Sequence, residues 1–156
     1  MAEKIWFITG TSRGFGRIWA EAALKRGDKV IATARNSDSL GSQTKAYGES
    51  VLPLPLDVMD REAVFATVER AHKHFGRIDV VINNAGYGLS GAIEEVAEAD
   101  AREQLETNVL GALWVTQAVL PILRRQGKGH ILSVSRPCGR ILRGRSRGGI
   151  PSCLFR

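Results

Sequence analysis

Short apolar runs alternate with helix-length amphipathic segments along residues 1–135, the pattern of a parallel sheet covered by helices. "KIWFIT" at 4–9 is almost continuously apolar and rich in β-formers, as a strand buried on both faces must be. The segment after it sets Ile18 and Ala22, and Trp19 and Ala23, at helical spacing, and Gly27 stands where that helix can end. "KVIATA" at 29–34 predicts a second strand. A polar stretch with a weak helix at 38–47 leads to "SVLPLPLD", a third strand whose prolines suit a sheet edge. Asp60 has the position of an N-cap for a helix that Gly76 closes. "VVIN" at 80–83 predicts a fourth strand, residues 99–126 a long helix, and "HILSVS" at 130–135 a fifth strand. Right-handed crossovers turn this series into an α/β fold, a doubly wound parallel sheet of Rossmann-like type with strand order 3-2-1-4-5.

Composition adds one discontinuity. The chain of 156 residues is long enough for one domain with a real core, and 44% apolar with 24% charged residues is ordinary for a soluble protein. No apolar run approaches the roughly 18 to 20 residues that span a bilayer, and "MAEKIWFITG" lacks the shape of a signal peptide. A cytoplasmic location is expected, with no membrane partner. The formal charge of +6, however, belongs to residues 136–156, which hold six arginines and no Asp, Glu or Lys. Residues 1–135 are neutral in sum, so the basic pI says nothing about their partners. Both cysteines, Cys138 and Cys153, also lie in the basic ending and make no disulfide framework. The expected division is a folded body at 1–135 and an irregular Arg/Gly-rich tail at 136–156.

Candidate chemistry collects at the predicted strand ends. The first strand runs into Thr9-Gly10-Thr11-Ser12-Arg13-Gly14-Phe15-Gly16, with three glycines where a strand turns into a helix. A pyrophosphate needs that kind of turn, because its oxygens must come close to backbone N–H groups at a helix N-terminus. A glycine-rich turn without a ligand is the competing reading. The fourth strand runs into Asn83-Asn84-Ala85-Gly86, and in a doubly wound sheet strands one and four flank the ligand crevice. Asn84, Ala85 and Gly86 are therefore expected to face the same ligand. Asp57, after strand three, lies on the same rim, where its carboxylate can accept from an adenine amino group or simply lead into a helix.

Thr-Gly-x3-Gly-x-Gly at 9–16, Asp57, Asn-Asn-Ala-Gly at 83–86 and Asn108 in the long helix together resemble the short-chain dehydrogenase/reductase family over residues 3–135. The resemblance implies a dinucleotide cofactor held by Gly10, Ser12, Arg13, Gly14, Phe15, Arg35, Asp57, Val58, Asn84, Ala85 and Gly86. It also implies a small-molecule carbonyl or alcohol substrate and a homo-oligomer through the 99–126 helix. No metal site is implied. Strand two ends in Ala34-Arg35-Asn36 with no acid before Asp38, and Arg13 lies inside the glycine turn. A 2′-phosphate favours nearby arginine, whereas a carboxylate favours a free ribose diol, so NADP(H) is expected over NAD(H).

The family's chemistry is carried by Asn, Ser, Tyr and Lys, with the last two in Tyr-x3-Lys. Asn108 matches the first. The chain's tyrosines are Tyr47 and Tyr87, and its last lysine is Lys128, so the Tyr-x3-Lys pair is not among these residues. The family's serine position is held by Arg136, and Ser135 takes its place only with a one-residue shift. The reading is thus of a truncated, inactive family member whose long helix and fifth strand are left partly uncovered. Three accounts of the tail stand side by side: a change of coding frame near codon 136, a short non-catalytic NADP-binding product or partner of a full-length enzyme, and a nucleic-acid-binding segment. Nucleic acid is the least favoured partner, because the arginines lack interleaved aromatics apart from Phe155.

Overall fold

The computed structural model describes residues 2–135 and 151–154. Its elements in chain order are β1 (Ile5–Ile8), α1 (Gly14–Lys25), β2 (Lys29–Ala34), α2 (Gly41–Tyr47), β3 (Val51–Pro55), α3 (Arg61–Phe75), β4 (Val80–Asn83), β5 (Leu89–Ala92), α4 (Glu98–Leu105), α5 (Gly111–Gln126), β6 (His130–Ser133) and β7 (Pro151–Leu154). Five parallel strands form one sheet in the order β3-β2-β1-β4-β6. This is the expected 3-2-1-4-5 order, since β5 belongs to a separate two-stranded sheet. β3 is an edge strand and pairs only through β2, where Pro53 and Pro55 cost the sheet few ladder bonds.

Alternation along the strands builds a core on each face of the sheet. Phe7, Ile31 and Val81 pack with Val64 and Val68 of α3 and with Val115 and Val119 of α5. Ile8, Val30, Ala32 and Ile82 pack with Ala20, Ala23 and Leu24 of α1 and with Leu40. The buried stripe of α1 is therefore Gly16, Ala20, Ala23 and Leu24, while Ile18 is exposed and Trp19 stacks on Phe15. Helical spacing alone does not choose between these two stripes. The close seat of Gly16 against the sheet does.

Helix ends follow local chemistry. Asp60 caps α3, its Oδ1 accepting from the Ala63 amide at 2.9 Å. Gly27, Gly76 and Gly127 follow α1, α3 and α5 with φ of 85°, 74° and 70°, a left-handed turn that L-residues with a Cβ resist.

Three expectations change. The single helix at 99–126 is α4 and α5 joined by a π turn, Glu106–Leu110, which contains Asn108. A π turn inserts one residue into the helical repeat, which shifts the faces on its two sides out of phase. The fifth parallel strand stops at Ser133 rather than at 135. Among the described residues of the tail, Pro151–Leu154 form β7, antiparallel to β5 with Leu89 opposite Leu154 and Ala92 opposite Pro151. Residues 136–150, which carry most of the tail's arginines, lie outside the described residues. As expected, Leu105, Val109 and Leu113 on the α4–α5 face and Leu132 and Val134 at the β6 edge are exposed apolar side chains. Among the described residues, no helix is long and apolar enough to cross a membrane.

One buried group works against stability. Gln43 of α2 is 3% exposed, and among the described residues neither its Oε1 nor its Nε2 has a hydrogen-bond partner. Burial of an unpaired amide costs about 1–3 kcal/mol. Gln43→Met keeps the length of the side chain without its polar atoms, and should raise the unfolding free energy by about 1 kcal/mol. Urea denaturation checks this; a loss of stability would show that the amide has partners.

Candidate cofactor site

β1 ends at Ile8, and the chain must turn into α1 while staying against the end of β4. Gly10 and Gly14 make the turn with φ of 71° and 62°. Gly16 serves a different need: a Cβ there would stand 2.3 Å from the Gly10 carbonyl oxygen and 2.4 Å from Asn84 Nδ2. Only a bare Cα lets the helix begin so near the sheet.

Hydrogen bonds fix this turn from below. Thr9 Oγ1 accepts from the amides of Asn84 and Ala85, each at 2.9 Å, and donates to the Ile82 carbonyl. Thr11 donates through both its amide and its hydroxyl to the Thr33 carbonyl, at 2.9 and 3.2 Å. Asn84 Nδ2 donates to the carbonyls of Thr9 and Gly10, both at 2.9 Å. The side chain of Asn84 is thus committed to shaping the turn.

Above the turn lies a cavity of about 650 Å³. α1 opens onto it behind Arg13, whose side chain makes no capping bond, and its first turn holds no acidic residue. A Cβ placed on Gly14 would meet nothing within 4 Å. First-turn amides lack intrahelical acceptors and form the positive end of the helix dipole, so the donor set and the space in front of it fit a phosphate group.

The structure brings the rest of the expected binding residues together in the cavity wall. Gly10, Ser12, Arg13, Gly14 and Phe15 contribute from the turn, and Arg35 from the end of β2. Asp57 and Val58 line the cavity after β3, Asn84, Ala85 and Gly86 after β4, and Asn108 from the π turn. Asp57 Oδ1 accepts from the Met59 amide at 3.0 Å, which sets the direction of its carboxylate. Val58 is pressed against α5, where a Cβ on Gly111 would stand 2.7 Å from its Cγ2.

The two residues chosen for chemistry, Asn108 and Ser135, differ in where the structure places them. Asn108 Oδ1 accepts from the Tyr87 amide at 3.1 Å, and its Nδ2 donates to the Tyr87 carbonyl at 2.8 Å. Its amide thus holds the loop after β4 to the helix. Ser135 is exposed and is not part of the wall; Ser133 and Val134 are. Strand pairing stops at Ser133, and the alternation that would aim Ser135 stops with it. Arg136 lies outside the described residues.

Sequence reasoning passed over several lining residues. Tyr87 directly follows the Asn-Asn-Ala-Gly motif, and that adjacency was the available signal. Ser133 is the β6 partner of Asn83, so the strand register could have found it. Glu103 on α4 carried no signal, since helix phase beyond a π turn is not legible. Burial first, then the carboxylates of Glu103 and Asp100, raise the Tyr87 hydroxyl above the ordinary tyrosine value, with Arg35 pulling the other way. At neutral pH it is a protonated donor.

These features coincide with a match to the family model for short chain dehydrogenases over residues 4–143. The chain belongs to the short-chain dehydrogenase family. It is 52% identical over 139 residues to an oxidoreductase, BOA17, of Botryotinia fuckeliana (strain B05.10), covering 88% of this chain and 51% of that one. A structure described as ElxO with NADP bound superposes with a TM-score of 0.81 at 31% identity, covering 86% of this chain and 56% of that one. A short-chain dehydrogenase/reductase from Burkholderia phymatum in complex with NAD gives a TM-score of 0.80 at 28% identity, covering 85% and 49%. The chain spans about half the length of the curated relatives it matches. A nicotinamide nucleotide is the cofactor class that family and cavity support together.

Proposed function

We propose that these residues form the nucleotide-binding half of an NADP(H)-dependent oxidoreductase that interconverts carbonyl and alcohol groups on a small-molecule substrate. The observation that carries the cofactor choice is the presence of Arg13 and Arg35 on the wall of the cavity that α1 opens onto. β2 ends in Ala34-Arg35 with no carboxylate, so nothing at that strand end favours a free ribose diol over a 2′-phosphate. In this reading Gly10, Ser12, Gly14 and Phe15 receive the pyrophosphate, Arg13 and Arg35 the 2′-phosphate, and Asp57 and Val58 the adenine. Asn84, Ala85 and Gly86 close the opposite wall.

A nicotinamide held by these residues would supply hydride chemistry at the substrate carbon. Hydride arrival leaves an alkoxide that needs a proton, and a tyrosine beside a lysine is the family's donor. The 156 residues contain no Tyr-x3-Lys. Alone, they are expected to bind the nucleotide and to reduce carbonyl compounds at a negligible rate.

Titration of the protein with NADPH and NADH tests the assignment. Arg35→Asp should weaken NADPH by roughly tenfold or more, the worth of a lost charge-assisted contact, and NADH by less than about threefold. Equal losses would contradict the 2′-phosphate assignment. Failure of the unaltered protein to bind either nucleotide would remove the cofactor reading itself.

A further inference from the structure

The cavity that holds Arg35 also holds negative charge. Glu103, exposed on α4, lines the same cavity as Arg13, Arg35 and Tyr87. Asp100 stands three residues earlier on the same helix and is not part of the wall. The Tyr87 hydroxyl interacts with the charges of Glu103, Asp100 and Arg35 together. Arg35, after β2, and Glu103, of α4, therefore place opposite charges on the wall of the cavity that Tyr87 also lines. The arrangement is held in place, because the Tyr87 backbone is bonded to Asn108 through two contacts and its carbonyl also accepts from Gln104 Nε2 at 3.2 Å. An anion drawn toward the two arginines meets an opposing charge that neither the glycine turn nor β2 contains.

We propose that Glu103 is a specificity-determining residue that works against Arg13 and Arg35: its carboxylate lowers the affinity of the cavity for a dinucleotide carrying a 2′-phosphate, and leaves a dinucleotide with a free ribose diol almost unaffected. The proposal rests on the nucleotide reading above and adds a second side to it. The cavity is tuned by a balance of opposed charges, and its preference for the phosphorylated cofactor is smaller than two arginines alone would give. A phosphate near neutral pH carries close to two negative charges, so a carboxylate on the same cavity wall acts on it about twice as strongly as on a singly charged group.

Glu103→Gln removes the charge and keeps the shape of an exposed side chain, so the fold is not at stake. NADPH should bind about three- to tenfold more tightly to the variant, and NADH within about twofold of the unaltered protein, at low ionic strength. Raising the salt to about 0.5 M should shrink the NADPH gain, because the charges are screened through the open mouth of the cavity. Asp100→Asn, outside the wall, should act in the same direction and more weakly. Unchanged NADPH affinity, or a gain as large for NADH, would overturn the proposal. So would a salt-independent gain, or a larger effect from Asp100→Asn. A loss of NADH affinity with NADPH unchanged would instead show Glu103 in direct contact with the ribose diol and overturn it as well. If the unaltered protein bound neither nucleotide, both this proposal and the reading beneath it would fall; NADPH binding with no Glu103 effect would remove this proposal alone.

Discussion

Gly16→Ala should destabilise the protein by about 3 kcal/mol or more, an unusually large effect for one added methyl group. The new Cβ would be driven into the Gly10 carbonyl at 2.3 Å and the Asn84 amide nitrogen at 2.4 Å, and a backbone atom cannot swing aside as a side-chain tip can. Relief requires α1 to lift from the sheet, which would uncover Ala20, Ala23 and Leu24. Nucleotide affinity should fall with stability, since the same movement withdraws the first-turn amides. Gly14→Ala is the control. Its Cβ meets no atom within 4 Å but keeps the unfavourable φ of 62°, so a loss of only about 1–2 kcal/mol is expected. Urea denaturation of the two variants decides the matter. Equal losses would mean that backbone conformation, not the approach of helix to sheet, dictates glycine at 16.

Thr9→Val should cost about 2–5 kcal/mol although the two side chains are nearly the same shape. Thr9 is 2% exposed, and its hydroxyl is the acceptor for two amides, those of Asn84 and Ala85. Valine leaves both N–H groups, each part-buried, without that partner. Thr9→Ser keeps the hydroxyl and loses only a methyl group, so most of the stability should return. The pair of variants separates hydrogen bonding from packing. If valine and serine behaved alike, the hydroxyl would be incidental and the loop after β4 would be held by Asn84 and Asn108 alone.

Much of this architecture could be read from the order of residues. Buried parallel strands announce themselves by continuous apolar runs, and "IWFI" and "VVIN" fell where expected. The glycine turn and the Asn-Asn-Ala-Gly loop were legible because close approach of backbone to backbone leaves glycine and small polar residues as the workable choices. What was not legible depended on phase. Nothing in "ETNVL" signals that its hydrogen bonds run to the fifth residue instead of the fourth, so neither the break in the long helix nor the position of Glu103 on the cavity wall could be derived. The same limit applied to α1, where Ile18 and Ala20 lie two residues apart and only tertiary contact with the sheet decides which is buried. Asn84 illustrates a third case. It lines the cavity while its Nδ2 bonds to the backbone of the turn, and sequence does not say which of backbone and ligand an amide beside a turn will bond.

The glycines that end α1, α3 and α5 have a wider consequence. Each left-handed stop, at Gly27, Gly76 and Gly127, restarts the chain from a fixed direction before the next strand enters the sheet. A left-handed glycine stop lets the next strand start from a direction set by the turn itself and not by the length of the helix before it. The π turn between α4 and α5 fits this view, since its extra residue is contained before Gly127 and β6 still pairs in register with β4. Each unit of the chain keeps its own count.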